Sequence, residues 1–189
     1  MIETSTIIEA IYYLLRKLKK ADKIKLVKLI YLSDKYHLIR YGRTITNDDY
    51  YAMEHGPVGA TVKDVLSFDS FNIPPKTFKY LSTLINRDDE NHFSVNPDVK
   101  ITFDMLSDTD KEALDFVIEK FGKMGQWKLR DYTHKYPEWY QYKDLFENKL
   151  TRRERIETKE LLSTLKDDPL SMSRKHVKES EKILTGNFD

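Results

Sequence analysis

The side chains of this chain that could do chemistry are few and scattered. Five histidines, His37, His55, His92, His134 and His176, are the groups whose ordinary titration falls near neutrality. None stands at the His-Glu-x-x-His spacing or at another compact ligand spacing, so a metal site would require His37, His55 and His134 to meet in space. Asp34 and His37 are three residues apart, which places them on one face if the segment is helical, where they could hydrogen-bond as an acid–base pair. With His134 they are the one trio from which a catalytic group could be assembled. No Gly-rich phosphate loop is present, and no nucleophile sits in a strand–turn–helix elbow. Gly56 and Gly59 flank Pro57-Val58 ahead of a helix, an arrangement that holds an anion weakly. The chain has no cysteine, which excludes disulfides, thiolate zinc sites and Cys nucleophiles. The expectation is therefore no catalytic residue, no metal and no cofactor, and a protein that works by binding.

Two kinds of binding are open. Lys23, Lys25 and Lys28 follow the tight Lys19-Lys20-Ala21-Asp22 connection between two helices, which could mimic a helix-turn-helix touching phosphates. That makes a DNA-binding regulator the alternative reading, although the second helix is apolar on several sides, as a core helix is. Charged residues make up 33% of the chain but cancel to a net charge of +1, so no strong nonspecific pull on nucleic acid follows. The charge is uneven: residues 1 to 43 carry about six more basic than acidic groups, and residues 44 to 150 about six more acidic than basic ones. Protein binding is the other route. Twelve Tyr and two Trp exceed what a core of this size needs, and Tyr36, Tyr41, Tyr50, Tyr51, Tyr132, Tyr136, Trp139, Tyr140 and Tyr142 fall in two zones. Tyr and Trp supply large amphipathic contact area at modest entropic cost.

The elements that must position these residues are mostly helices. Ile7, Ile8, Ile11, Leu14, Leu15 and Leu18 make one apolar face over residues 5 to 19. Asp22 is a natural N-cap for the second helix and Gly42 a natural stop. Tyr50 and Tyr51 give residues 50 to 54 strand character; Gly56-Pro57 is expected to turn the chain into a short helix over 60 to 67. Pro74-Pro75 reads as a break, and residues 77 to 103 as strands with a hairpin around Asn86 to Asn91. Ser107 with Asp110 resembles a capping box opening a helix with a Leu114, Val117, Ile118, Phe121 stripe. Helices are expected over 126 to 136, 151 to 165 and 171 to 184. The fold class is mainly α with a small antiparallel sheet or hairpin. Met1 to Ser5 lack the pattern of a signal peptide and the apolar runs are short, so a cytoplasmic protein that does not span a membrane is expected.

The order of these pieces resembles the Panacea domain family of SocA-like antitoxins, also described as phage-associated GepA-like proteins. The resemblance lies in Lys28-Leu29-Ile30-Tyr31, Asp34, His37, Tyr41-Gly42 and Tyr50-x-Ala52-x-x-His55-Gly56-Pro57-Val58, then in Leu106-Ser107, Leu114, Val117, Gly122, Leu129, Thr133-His134 and Pro137-x-Trp139. It covers roughly residues 5 to 145. Trp127 stands where many relatives carry a smaller residue before the Leu129 position. The resemblance implies a compact, mostly helical domain with a small sheet, here residues 1 to 148; residues 149 to 189 lie outside it and read as a charged, helical extension. It implies an antitoxin whose partner is a cognate toxin, neutralised by direct contact, with delivery to a Clp-type protease as a second mode. His134 is then expected to bond backbone or the Asp34 carboxylate, and the motif residues to be either fold-defining or partner-binding.

Overall fold

The computed structural model describes residues 4–71 and 73–187. Helix α1 (Thr4–Leu18) buries the expected Ile7, Ile8, Ile11, Leu14 and Leu15. Lys19 takes a left-handed φ of 72°, and Lys20–Asp22 forms a short strand, β1. Helix α2 (Lys23–Tyr41) starts where Asp22 accepts the Lys25 amide at 2.9 Å and stops at Gly42, whose φ is 75°. Every residue from 26 to 39 is buried, so α2 is the pillar of the core, and α1, α5, α6 and α9, defined below, pack around it.

The chain then makes β2 (Tyr50–Met53) and β3 (Gly56–Gly59), the short helix α3 (Ala60–Val65), helix α4 (Pro75–Leu84), and the hairpin β4 (Ile85–Arg87) with β5 (His92–Val95). Helices α5 (Asp108–Phe121), α6 (Gln126–Thr133), α7 (Pro137–Tyr140) and α8 (Lys143–Glu147) follow. The chain closes with β6 (Arg153–Ile156), a 3-10 turn over Thr158–Leu162, and α9 (Arg174–Thr185). The strands build two antiparallel three-stranded sheets, ordered β1-β5-β4 and β3-β2-β6. The protein is mainly α with this small β component, as the sequence predicts.

Four segments differ from expectation. Gly56-Pro57 does not turn the chain; the turn is Glu54-His55, and Gly56 to Gly59 run as a strand with Met53 opposite Gly56 and Tyr50 opposite Gly59. Pro75 opens a helix instead of ending structure, because at the first helical position its missing N–H costs nothing; only 85 to 95 of the expected strand region forms the hairpin. The helix expected over 151 to 165 is a strand and a 3-10 turn. Arg153-Glu154-Arg155 is a charged edge strand that keeps one buried residue, Ile156, and pairs Tyr50 with Ile156, so backbone pairing to β2 overrides helical propensity. Finally, the Lys20–Asp22 connection pairs with β5 and α2 is enclosed, so these helices do not form a helix-turn-helix with an outward recognition face. Among the described residues no helix is long and apolar enough to cross a membrane.

The Ser107–Asp110 capping box forms as predicted, with Ser107 Oγ accepting the Asp110 amide and Asp110 Oδ2 accepting the Ser107 amide. Helix α9 caps α2: Ser180 Oγ donates to Ile39 O (2.7 Å) and His176 Nε2 to Arg40 O (2.9 Å), which satisfies carbonyls a helix end leaves open. Its Ile183 occupies the space beside Gly42, where a Cβ would lie 2.6 Å from Ile183 Cβ.

Charges inside α2 tie it to distant segments. Lys35, fully buried, donates to Glu138 Oε1 on α7 (2.6 Å) and to Leu161 O in the 3-10 turn (2.9 Å); the Tyr31 hydroxyl donates to the same Glu138 oxygen. Removing one member of such a pair strands the other charge in the core. Glu138→Ala is expected to cost about 3–5 kcal/mol in denaturant unfolding. The double variant Lys35→Met with Glu138→Leu should recover most of that loss, and additive losses would contradict it.

Candidate functional site

Asp34 and His37 share a face of α2 but not a hydrogen bond. Asp34 Oδ1 accepts the amides of Ile45 (2.8 Å) and Thr46 (2.9 Å), and Oδ2 accepts the hydroxyls of Thr46 (2.6 Å) and Tyr50 (2.8 Å). Four donors favour its ionised form, while burial pushes its pKa up to about 6. His37 Nδ1 donates to Arg43 O at 2.8 Å and its Nε2 lies 3.0 Å from Thr109 Oγ1; burial holds its pKa below the usual value. The expected Asp34–His37 pair therefore does not form, nor does a bond from His134 to Asp34, because each carboxylate oxygen is already taken. The trio does not converge on a reacting centre. Among the described residues no group of three or more His, Cys, Asp or Glu side chains could hold a metal ion.

Most of the remaining motif residues sit in the scaffold. Tyr31 and Tyr50 are buried with their hydroxyls on Glu138 and Asp34. The Tyr41 hydroxyl donates to Glu112 at 2.5 Å. Ala52 is fully enclosed between β3 and β6, opposite Pro57 and Glu154. Thr133 is buried and its hydroxyl returns to Arg130 O at 3.0 Å.

The others gather at one place, the β2–β3 turn. Trp139 Nε1 donates to Met53 O (2.8 Å) and Lys28 Nζ donates to Pro57 O (2.8 Å), so each arm of the turn is tied down. Gly56, with φ 99°, lies between them. A Cβ there would meet Lys28 Nζ at 2.7 Å and His134 Nε2 at 3.1 Å, so only glycine fits both the backbone and the space. His134 stacks on Trp139 with ring centroids 3.6 Å apart, and His55 meets Trp127 edge-on. Trp127 is 50% exposed, with the Arg130 guanidinium over its ring.

Beside this turn opens a cleft of about 860 Å³. Its apolar wall is Ile24, Val27, Met53, Val58 and Phe146. Around it stand Lys23 and Lys28 from α2, Lys63 from α3, and Lys149 and Arg152 from the loop before β6, against the single carboxylate of Glu54. Burial and the nearby Arg130 charge lower the Lys28 pKa to about 7. Burial, then the Lys28 and Arg130 charges, lower the His134 pKa to about 4, so this imidazole is neutral at pH 7. A smaller cleft of about 450 Å³ adjoins it, with Trp139 and Tyr140 in its wall and Glu54, Phe146 and Lys149 common to both. An electropositive concave surface with an aliphatic wall is suited to holding an acidic, partly apolar segment.

Of the residues singled out from sequence, His55, Gly56, Pro57, Val58, Trp127, His134 and Trp139 come together here. The cations do not follow from sequence reasoning, which left out Lys63, Lys149 and Arg152 altogether. Lys28, read from sequence as a phosphate contact, is instead buried with its ammonium on Pro57 O.

Lys28 makes stability depend on pH. Between its folded value near 7 and the ordinary 10.5, the unfolded chain holds a proton that the folded chain does not, so stability rises with pH across that window and is lost as pH falls to about 7. Lys28→Met is expected to flatten the rise when urea unfolding is compared between about pH 7 and about pH 10. A rise equal to that of the wild type would refute the assignment.

Comparison with known families gives one match. The family model described as antitoxin SocA-like, Panacea domain, matches residues 26–140, well over half of the chain. No curated protein and no solved structure matches. The chain belongs to the SocA-like antitoxin family of Panacea-domain proteins.

Proposed function

We propose that this Panacea-domain protein is the antitoxin of a toxin–antitoxin pair and silences a cognate toxin by direct contact, using the basic cleft and the neighbouring Trp127. The observation that carries this is the coincidence of the family match with the site. The match runs from the first turns of α2 to α7 and includes the β2–β3 turn, Trp127 and His134. Membership supports a toxin–antitoxin role in general. The dispersal of Asp34, His37 and His134 supports a regulator that works by binding and not by catalysis.

In this reading, residues 1–148 are the antitoxin domain and residues 149–189 an extension that adds Lys149 and Arg152 to the cleft wall. The two exposed aromatics near the turn, Trp127 and Tyr140 (59% exposed), supply apolar contact area that the core does not use. Contact is all this requires: an occupied toxin surface is an inactive one. Delivery to a Clp-type protease would act through the same contact, with degradation following it.

The test is co-expression with the product of the adjacent gene, scoring growth and copurification. Restored growth with a stable complex is the expected result. Restored growth without a complex would move the account to delivery for degradation, and absence of any protection would overturn the antitoxin reading.

A further inference from the structure

Five cations stand around the cleft against the single carboxylate of Glu54. Some other basic side chains, such as Arg130 and Arg155, lie within ion-pair distance of a carboxylate. For Lys23, Lys28, Lys63, Lys149 and Arg152 the structure records no such pair, and Lys28 has only the Pro57 carbonyl. The Lys63 charge already raises the cost of protonating half-buried Lys23, behind burial itself. Like charges held together around a low-dielectric wall repel one another, and the arrangement is relieved when anionic groups enter.

The wall also says what kind of anion carrier fits. Ile24, Val27, Met53 and Val58 are aliphatic or thioether side chains, and two rings, Phe146 and the His55 imidazole, complete the lining. Single-stranded nucleic acid needs flat aromatic platforms for its bases beside the positive charge. A peptide needs instead a greasy recess for one or two apolar side chains, flanked by cations for its carboxylates. The cleft provides the second set.

We propose that the cleft binds an acidic peptide segment carrying an apolar anchor residue, presented by the partner protein. This rests on the antitoxin reading for the identity of the partner but not for the chemistry of the segment. The anchor lies on the Ile24–Val27–Met53–Val58 wall. The flanking carboxylates meet Lys63 and Arg152 at the solvent edge and Lys23 and Lys28 further in.

The probe is a fluorescein-labelled peptide, Glu-Leu-Asp-Glu-Leu-Asp, titrated with the full chain and followed by anisotropy. Lys63 and Arg152 are exposed and hold no recorded ion pair, so Lys63→Glu with Arg152→Glu should leave the thermal unfolding transition in place. Lys76→Glu with Lys79→Glu on α4 is the control, because it makes the same change in net charge outside the cleft. Saturable binding that the cleft pair weakens about tenfold or more, and the control pair much less, is the expected result. No saturable binding by the wild type, or equal weakening by both pairs, would overturn the proposal. So would tighter binding of a single-stranded DNA oligomer than of the peptide at the same salt. Growth protection by a wild-type protein that binds no peptide would remove the acidic segment and leave the antitoxin reading standing. Peptide binding without growth protection would do the reverse.

Discussion

Helix α2 is enclosed from residue 26 to residue 39, yet it carries Lys28, Asp34, Lys35 and His37 inside that stretch. Ionisable groups in a low-dielectric core are tolerated only with partners, and a helix cannot supply them from its own backbone. Each partner therefore comes from another part of the chain. Pro57 O takes Lys28, the Ile45–Tyr50 segment takes Asp34, Glu138 and Leu161 O take Lys35, and Arg43 O with Thr109 takes His37. The positions of β2, β3, α5, α7 and the 3-10 turn follow from meeting those demands. Hydrophobic burial gathers the elements around α2, and the buried polar groups fix which segment goes where.

The same constraint shapes the surface. Lys28 must reach Pro57 O past position 56, where a side chain would meet both Lys28 Nζ and the His134 ring that stacks on Trp139. The cleft opens where this packing leaves α2 uncovered, between its first turns, the β2–β3 arm and the loop before β6. Motif residues are thus mainly structural: Asp34, Tyr50, Ala52 and Thr133 are buried or bonded to partners in the core. Of the cations around the cleft only Lys28 belongs to the motif; the others, with the exposed Trp127 and Tyr140 nearby, are the groups proposed to meet the partner.

Much of the fold was legible in the sequence where a single residue dictates local geometry. Asp22, Gly42 and the Ser107–Asp110 box end or begin helices for reasons confined to a few neighbouring atoms. The segments that escaped depend on distant partners. Arg153-Glu154-Arg155-Ile156 has no strand signal of its own and is a strand because β2 presents a free edge. Lys20–Asp22 is a strand for the same reason, beside β5. At the site, the aromatic and glycine residues stood out by type. Lys63, Lys149 and Arg152 did not, since a surface lysine carries no mark of the cleft it faces until the chain brings three segments together.

We propose that one place on this molecule, the β2–β3 turn with its basic cleft, meets the partner. Hydrogen–deuterium exchange of the protein alone and in complex with its toxin addresses that directly, because it reads every backbone amide at once. Slowed exchange at residues 53–58 and 146–152, with β4 and α4 unchanged, is the expected result. Slowed exchange confined to α4, the β4–β5 hairpin or α9, with the turn unaffected, would contradict it.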